Sequence, residues 1–214
     1  MIQKIEEKIR LNHSNDDKQL EVIFSPEKRI IIEAPAGYGK TKTMISKIAY
    51  LIAVNKLDNP KKILALTFSV NAAYKIKKDI SESLPELFNH EKSSPLTFKN
   101  KILSTNYHGL CRKILKKYGY LLQDNLRNID YILGVDDSKV NELIKMRIGL
   151  KKEEMTELIN YNRKVKEMNS QYLQIRFNSY LEIVKEKFLP NNFIPFNAII
   201  LLVLELFNRF PDVL

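Results

Sequence analysis

From its amino end the chain alternates short β-branched or apolar runs with longer segments whose apolar residues recur every third or fourth position, the order of an α/β protein. Ile30-Ile31-Ile32 predicts a strand. Beyond it, Met44, Ile45, Ile48, Ala49, Leu51 and Ile52 follow helical spacing, so a helix is expected to begin near Lys40. Ile63-Leu64-Ala65-Leu66-Thr67-Phe68 is continuously apolar, as in a parallel strand covered on both faces. Strand, helix and strand in that order make a right-handed βαβ unit the default. Ser69 can cap a helix running from Asn71 to the neighbourhood of Ser83, with Ala72, Ala73, Ile76 and Ile80 on one face. Lys101 to Thr105 predicts a further strand, ending at Asn106-Tyr107-His108-Gly109. Leu110, Cys111, Ile114, Leu115 and Tyr118 then give a helix face that stops at Gly119.

The flanks are less regular. Met1 to Arg10 reads as a short charged helix or a mobile terminus, and Asn15 to Gln19 offers helix caps ahead of Leu20, Val22 and Ile23. Asp58-Asn59-Pro60 marks a turn, and Pro85 to Pro95 a turn-rich surface excursion. After Gln123 only helical patterns follow, from Val140–Ile144 to Tyr180–Val184, with Ser138 and Thr156 near helix starts. Pro190 to Pro195 is a return linker, and Phe196 to Phe210 is apolar almost all round, a helix that neighbours must cover on several sides. The organisation expected is an α/β domain over 1–122, an all-helical insertion over 123–193, and a helix returning to the first domain over 194–214.

Composition narrows the class of partner. A net charge of +10 among 214 residues makes a polyanion plausible. The single cysteine, Cys111, excludes an internal disulfide and suits a reducing compartment, so a cytoplasmic protein is expected. The most apolar run, Ile199 to Leu204, is far short of the roughly 20 residues a membrane span needs. Met1 to Arg10 lacks the apolar core of a signal peptide, so no membrane partner is expected.

The chemistry concentrates between the first strand and its helix, at Ala34-Pro35-Ala36-Gly37-Tyr38-Gly39-Lys40-Thr41, followed by Lys42. Gly37 and Gly39 let the backbone curl and aim N–H groups at phosphate oxygens, and the helix start favours the same anion. In such a loop Lys40 reaches the β- and γ-phosphates and the Thr41 hydroxyl ligates Mg²⁺, so ATP and Mg²⁺ are the expected ligands, with Lys40 and Thr41 the catalytic pair. The one departure from the usual spacing is Ala34 where a glycine commonly opens the loop.

Four segments in this order resemble the UvrD/Rep-type superfamily 1 DNA helicases. The loop is similar to that family's Ala-Gly-x-Gly-x-Gly-Lys-Thr form. Asp17-Lys18-Gln19 resembles its Q motif and makes Gln19 the implied reader of adenine, for which an amide can both donate and accept. Thr67-Phe68-Ser69-Val70-Asn71-Ala72-Ala73 is similar to Thr-Phe-Thr-Asn-Lys-Ala-Ala, which touches single-stranded DNA. Val70 and Asn71 replace the Asn and Lys, and Lys75, Lys77 and Lys78 could substitute for the missing cation. Tyr107-His108-Gly109-Leu110 resembles a second DNA-contacting segment. Thr67, Phe68, Ser69, Asn71, Tyr107 and His108 are therefore the implied DNA contacts, with bases stacking on Phe68 and Tyr107. Basic residues around Lys75–Lys78 and Arg112–Lys117 are expected to follow the nucleic-acid backbone. Pro195-Phe196-Asn197-Ala198 stands where the family carries Asp-Phe-Asp-Asp, without its acids.

The resemblance implies a P-loop, RecA-like parallel sheet flanked by helices and carrying the all-helical insertion. It further implies an ATP-dependent DNA helicase of 3′ to 5′ polarity, linked to DNA repair and acting at a single-strand/duplex junction. No Asp-Glu-x-x-Asp occurs in the 214 residues, so the chain is expected to be the N-terminal piece of a longer helicase, partnered by a second RecA-like domain and nearly inactive alone. Two alternatives are a different P-loop enzyme, such as a small-molecule kinase, and a nucleic-acid-binding module whose phosphate loop is vestigial.

Overall fold

Apolar side chains gather into two clusters, each inside one of two compact units, residues 1–106 and 107–214. The structure is a computed structural model and describes residues 2–14, 16–54, 61–88, 100–136 and 148–213.

In the first unit, α1 (Ile2–Asn12) buries Ile5 and Ile9, four residues apart and so on one face. Next, α2 (Asp17–Phe24) starts where the Asp16 carboxylate accepts the backbone N–H of Gln19 at 3.1 Å, and it buries Leu20 and Ile23. The phosphate-loop helix α3 (Lys40–Ala53) buries Ile45, Ile48, Ala49 and Ala53. The cluster is completed by Ile80, Leu84 and Leu87 of α4 (Val70–Leu87), whose N-cap is the predicted Ser69, accepting from Ala72 N at 3.1 Å. Strands β1 (Ile63–Thr67) and β2 (Ile102–Asn106) pair in parallel, Ile63 opposite Ile102 and Thr67 opposite Asn106, with α4 as the crossover.

The second unit opens with α5 (Tyr107–Tyr118) and a 3-10 turn from Gly119, the predicted stop. A 3-10 segment (Asp124–Tyr131) leads to β3 (Leu133–Val135), which pairs in parallel with β4 (Phe193–Pro195). Between these strands lie α6 (Lys152–Lys166) and α7 (Ser170–Ile183), joined through the stacked Tyr161 and Tyr180 rings, 4.1 Å apart at 19°. A single π turn (Val184–Phe188) follows α7. The apolar helix α8 (Phe196–Arg209) has the predicted extent and buries Ala198, Ile199, Leu202, Val203 and Leu206.

Several expectations change. Ile30-Ile31-Ile32 forms no strand, and Ile31 is 89% exposed. A strand exists only by pairing, and among the described residues none pairs with this segment. The β1 face is likewise not covered on both sides, since Leu64 is exposed. The region expected to be all helical contains β3, closed by a backbone bond from Leu133 N to Asn192 O at 2.9 Å. Helix α5 starts at Tyr107, with no intervening turn, so His108 and Gly109 belong to its first turn. Helix α4 runs through Pro85 to Leu87, and Thr156 lies a turn inside α6. Asn15, the turn at Asp58-Asn59-Pro60, the 89–99 excursion, Ser138 and the Val140–Ile144 pattern lie outside the described residues.

Candidate nucleotide and nucleic-acid site

Helix α3 begins where Gly39 turns left-handed, φ +78°, after Gly37 at φ +87°. Both angles suit glycine because a Cβ would meet the adjoining backbone. The first N–H groups of α3 have no carbonyl one turn upstream, and the helix dipole adds positive character at the same end. Ala36, Gly37, Gly39, Lys40, Thr41 and Lys42 line a cleft of ≈ 770 Å³. The side of that cleft formed by α4 carries Lys75, Asp79, Glu82 and Glu86. Lys75 was expected at the nucleic-acid backbone, whereas Asp79, Glu82 and Glu86 gave no signal in the sequence beyond an ordinary polar helix face.

Lys40 folds back over its own loop, its ammonium donating to the Ala34 carbonyl and, at 2.7 Å, to that of Pro35. An ammonium has three N–H groups, so one remains for a ligand. Tyr38 is exposed at the loop tip, and Thr41 is exposed at the helix start. Lys42 is used differently: its ammonium donates to the Asn12 carbonyl and ties α1 to α3.

Gln19, far from this loop in sequence, lies against it. Its Nε2 is 3.4 Å from the point a Cβ on Gly39 would occupy, and its Oε1 accepts from Thr43 Oγ1 at 3.3 Å. Asp16 Oδ2 accepts from Nε2 at 3.0 Å. The Oε1 atom also lies 2.5 Å from Nδ1 of His13, a buried residue that sequence reasoning passed over. Nothing in the spacing of His13 marks it, because its contact depends on the turn between α1 and α2.

Thr67 closes β1 and donates from Oγ1 to the Ser69 carbonyl at 3.0 Å, while Ser69 spends its hydroxyl on capping α4. Phe68 is 91% exposed, and Val70 and Tyr74 of the first α4 turns are exposed beside it in sequence. Asn71 is exposed. These residues stand at the carboxyl end of β1, where open α/β sheets place their ligands. The Ala73, Ile76 and Ile80 pattern could have flagged Tyr74, which falls on the opposite face.

In the second unit Tyr107 is half exposed and the His108 ring meets the Phe196 ring edge-on, centroids 5.7 Å apart. Arg112 donates to the carbonyls of Ile132, at 2.8 Å, and Ile129, at 3.3 Å. Lys116 pairs with Asp130, whose hydrogen bond and charge raise its pKa above the ordinary lysine value. Arg112 and Lys116 of the basic run expected to follow a nucleic acid therefore have partners inside the protein, and Lys117 lies over the Tyr118 ring, 4.7 Å from its centroid. Among the described residues no group of three or more His, Cys, Asp or Glu could hold a metal ion, and no helix is long and apolar enough to cross a membrane.

Residues 15–214 match the family model of the UvrD/REP helicase N-terminal domain. A probable DNA helicase II homolog of Mycoplasma capricolum is 28% identical over 215 aligned residues, covering 93% of this chain and 28% of that protein. The ATP-dependent DNA helicase PcrA of Bacillus subtilis is 26% identical over 92% of this chain and 26% of its own length. The ATP-dependent DNA helicase SRS2 of Saccharomyces cerevisiae is 30% identical over 54% of this chain and 9% of its own. The chain thus spans little more than a quarter of the PcrA and Mycoplasma relatives.

Proposed function

This chain belongs to the UvrD/REP helicase N-terminal domain family, and on that premise we propose that it forms the ATP-binding and DNA-contacting part of an ATP-dependent DNA helicase moving 3′ to 5′. The observation that carries the reading is the conjunction at Gly39, where a left-handed glycine starts α3 with Gln19 packed against it and Lys40 and Thr41 beside a cleft. In this reading Ala34 to Lys42 wrap the triphosphate, Gln19 contacts the base, and residues 1–122 and 194–214 form a RecA-like domain around the insertion 123–193.

The residues fit a triphosphate. Two left-handed glycines open the loop, the start of α3 favours an anion, and Lys40 keeps one N–H for phosphate oxygens beyond its contacts with Ala34 and Pro35. Mg²⁺ would neutralise phosphate charge, held from this chain by the Thr41 hydroxyl. Thr67, Phe68, Ser69, Asn71, Tyr107 and His108 are assigned to single-stranded DNA, with exposed Phe68 and Tyr107 as stacking surfaces worth about 1–3 kcal/mol per base. Without an Asp-Glu-x-x-Asp motif in its 214 residues, the chain by itself binds nucleotide weakly and turns it over negligibly, and the second RecA-like domain of the helicase is a further partner. A cytoplasmic location agrees with a lone, buried thiol.

Titrating ATP with and without single-stranded DNA tests the proposal. We expect both ligands to bind and each to tighten or weaken the other by the same factor, because coupling is reciprocal. DNA affinity is expected to fall with salt at a slope of about −0.7 per phosphate contacted. DNA binding that ignores saturating ATP would identify a vestigial loop. ATP binding with no DNA affinity would identify a different P-loop enzyme.

A further inference from the structure

We propose that Lys75 of α4 is a second ligand-binding cation of the phosphate cleft, reaching the phosphate chain of a bound nucleotide instead of following DNA. The proposal rests on the reading of the Ala34–Lys42 loop as the phosphate site, and it adds a side chain from another element.

Three cations line the cleft: Lys40, Lys42 and Lys75. The first two are committed to the protein. Lys40 gives N–H groups to the Ala34 and Pro35 carbonyls, and Lys42 gives one to the Asn12 carbonyl. Lys75 is exposed, and among the described residues its ammonium has neither a hydrogen bond nor an ion pair. All three of its N–H groups are therefore open to a ligand, at the end of a flexible four-carbon stem.

Position along α4 separates Lys75 from the other lysines of its run. At about 100° per residue, Lys75, Asp79, Glu82 and Glu86 fall on one stripe of the helix, and that stripe is the cleft wall opposite the loop. Lys77 falls about 200° round the helix from Lys75, on the far side, and does not line the cleft. Lys78 is paired with Glu82 at 3.9 Å. The carboxylates of the stripe repel phosphate and Lys75 attracts it, so this wall has a negative stretch and a positive end. The positive end lies toward the amino terminus of α4, and so toward the carboxyl end of β1, where open α/β sheets hold their ligands. Gln19, assigned to the base, does not line this cleft, which leaves it to the phosphates.

Inorganic tripolyphosphate carries the phosphate chain without base or sugar, so it reads the cleft independently of Gln19. The test titrates Mg-ATP, tripolyphosphate and a single-stranded oligonucleotide into the chain and into Lys75→Ala, Lys75→Glu, Lys40→Ala and Lys62→Ala at one ionic strength. Lys62 is exposed just ahead of β1, and its removal takes the same charge from the opposite end of that strand. Lys75→Ala is expected to weaken Mg-ATP and tripolyphosphate alike by about three- to tenfold, the range of a solvent-screened charge contact. Lys75→Glu should weaken both further, and Lys62→Ala should leave both within about twofold. Unchanged tripolyphosphate affinity in the two Lys75 variants, an equal loss in Lys62→Ala, or a loss confined to the oligonucleotide overturns the assignment. If Lys40→Ala weakens both ligands and the Lys75 variants weaken neither, this inference fails while the phosphate loop stands. A chain that binds neither Mg-ATP nor tripolyphosphate overturns the reading of the loop and this inference with it.

Discussion

Gln19 Nε2 stands 3.4 Å from where a Cβ on Gly39 would lie, and Gly39 holds φ at +78°. A methyl group at Gly39 thus meets a left-handed backbone, which costs an L-residue about 1–2 kcal/mol, and it would lie in van der Waals contact with the Gln19 amide. Gly39→Ala is expected to lower the urea midpoint and to weaken triphosphate binding. Gly149→Ala supplies the control, since its φ is +62° with nothing among the described residues within 4 Å of the added methyl. It should show the backbone cost alone, with nucleotide affinity intact.

Gly119 is restricted by space. A Cβ there would lie 2.9 Å from Leu126 Cβ and 3.5 Å from Leu115 Cβ, both side chains being fully buried. Neither Cβ can swing away without its backbone. Gly119→Ala is expected to destabilise the second unit by about 1–3 kcal/mol through overpacking, read as a lower thermal midpoint. An unchanged midpoint would show that the α5 end is loosely packed.

Lys185 and Glu205 form a largely buried ion pair at 2.9 Å, with side chains 20% and 12% exposed. Among the described residues Glu205 Oε2 has no hydrogen-bond partner, and Arg209 reaches Oε1 only at 3.5 Å. Removing the lysine leaves a carboxylate with little compensation, which costs up to about 3–5 kcal/mol when a pair is buried. Lys185→Met is therefore expected to be more destabilising than the Lys185→Met/Glu205→Gln double variant. The order of their urea midpoints checks this, and the reverse order contradicts it.

Cys111 is buried on α5, and loss of solvation raises its thiol above the ordinary value of 9.0. The folded chain holds this proton more tightly than the unfolded one, so stability falls as the pH rises through the thiol range. Labelling by a thiol-specific disulfide reagent is expected to be slow in native buffer and fast in denaturant. Rapid native labelling would show that α5 opens readily.

What the sequence revealed and what it hid follow from the range of the interactions. The Ser69 cap, the start of α3 at Lys40, the stop at Gly119 and the apolar α8 all depend on residues within a few positions of one another, and each was legible. Ile30-Ile31-Ile32 has strand propensity, but forming a strand requires a neighbour that the pattern does not supply. Strands β3 and β4 are three residues each, too short for a period of two to register. His108-Gly109 looked like punctuation, whereas the chain passes directly from β2 into α5. At the candidate site the glycines and Lys40 were legible because the loop is contiguous. The union of Gln19 with His13, Thr43 and Gly39 was not, since it depends on how α1, α2 and α3 pack.

The measurement closest to the centre of this account is calorimetric or fluorescence titration of Mg-ATP into the chain and its Lys40→Ala variant, with thermal transitions recorded in parallel. Charge-assisted hydrogen bonds are worth about 1.5–3 kcal/mol, so affinity should drop roughly 10- to 100-fold in the variant with its transition unchanged. Equal ATP affinity in the two proteins would mean that the Ala34–Thr41 turn does not hold phosphate, and the helicase reading of this chain's site would fail.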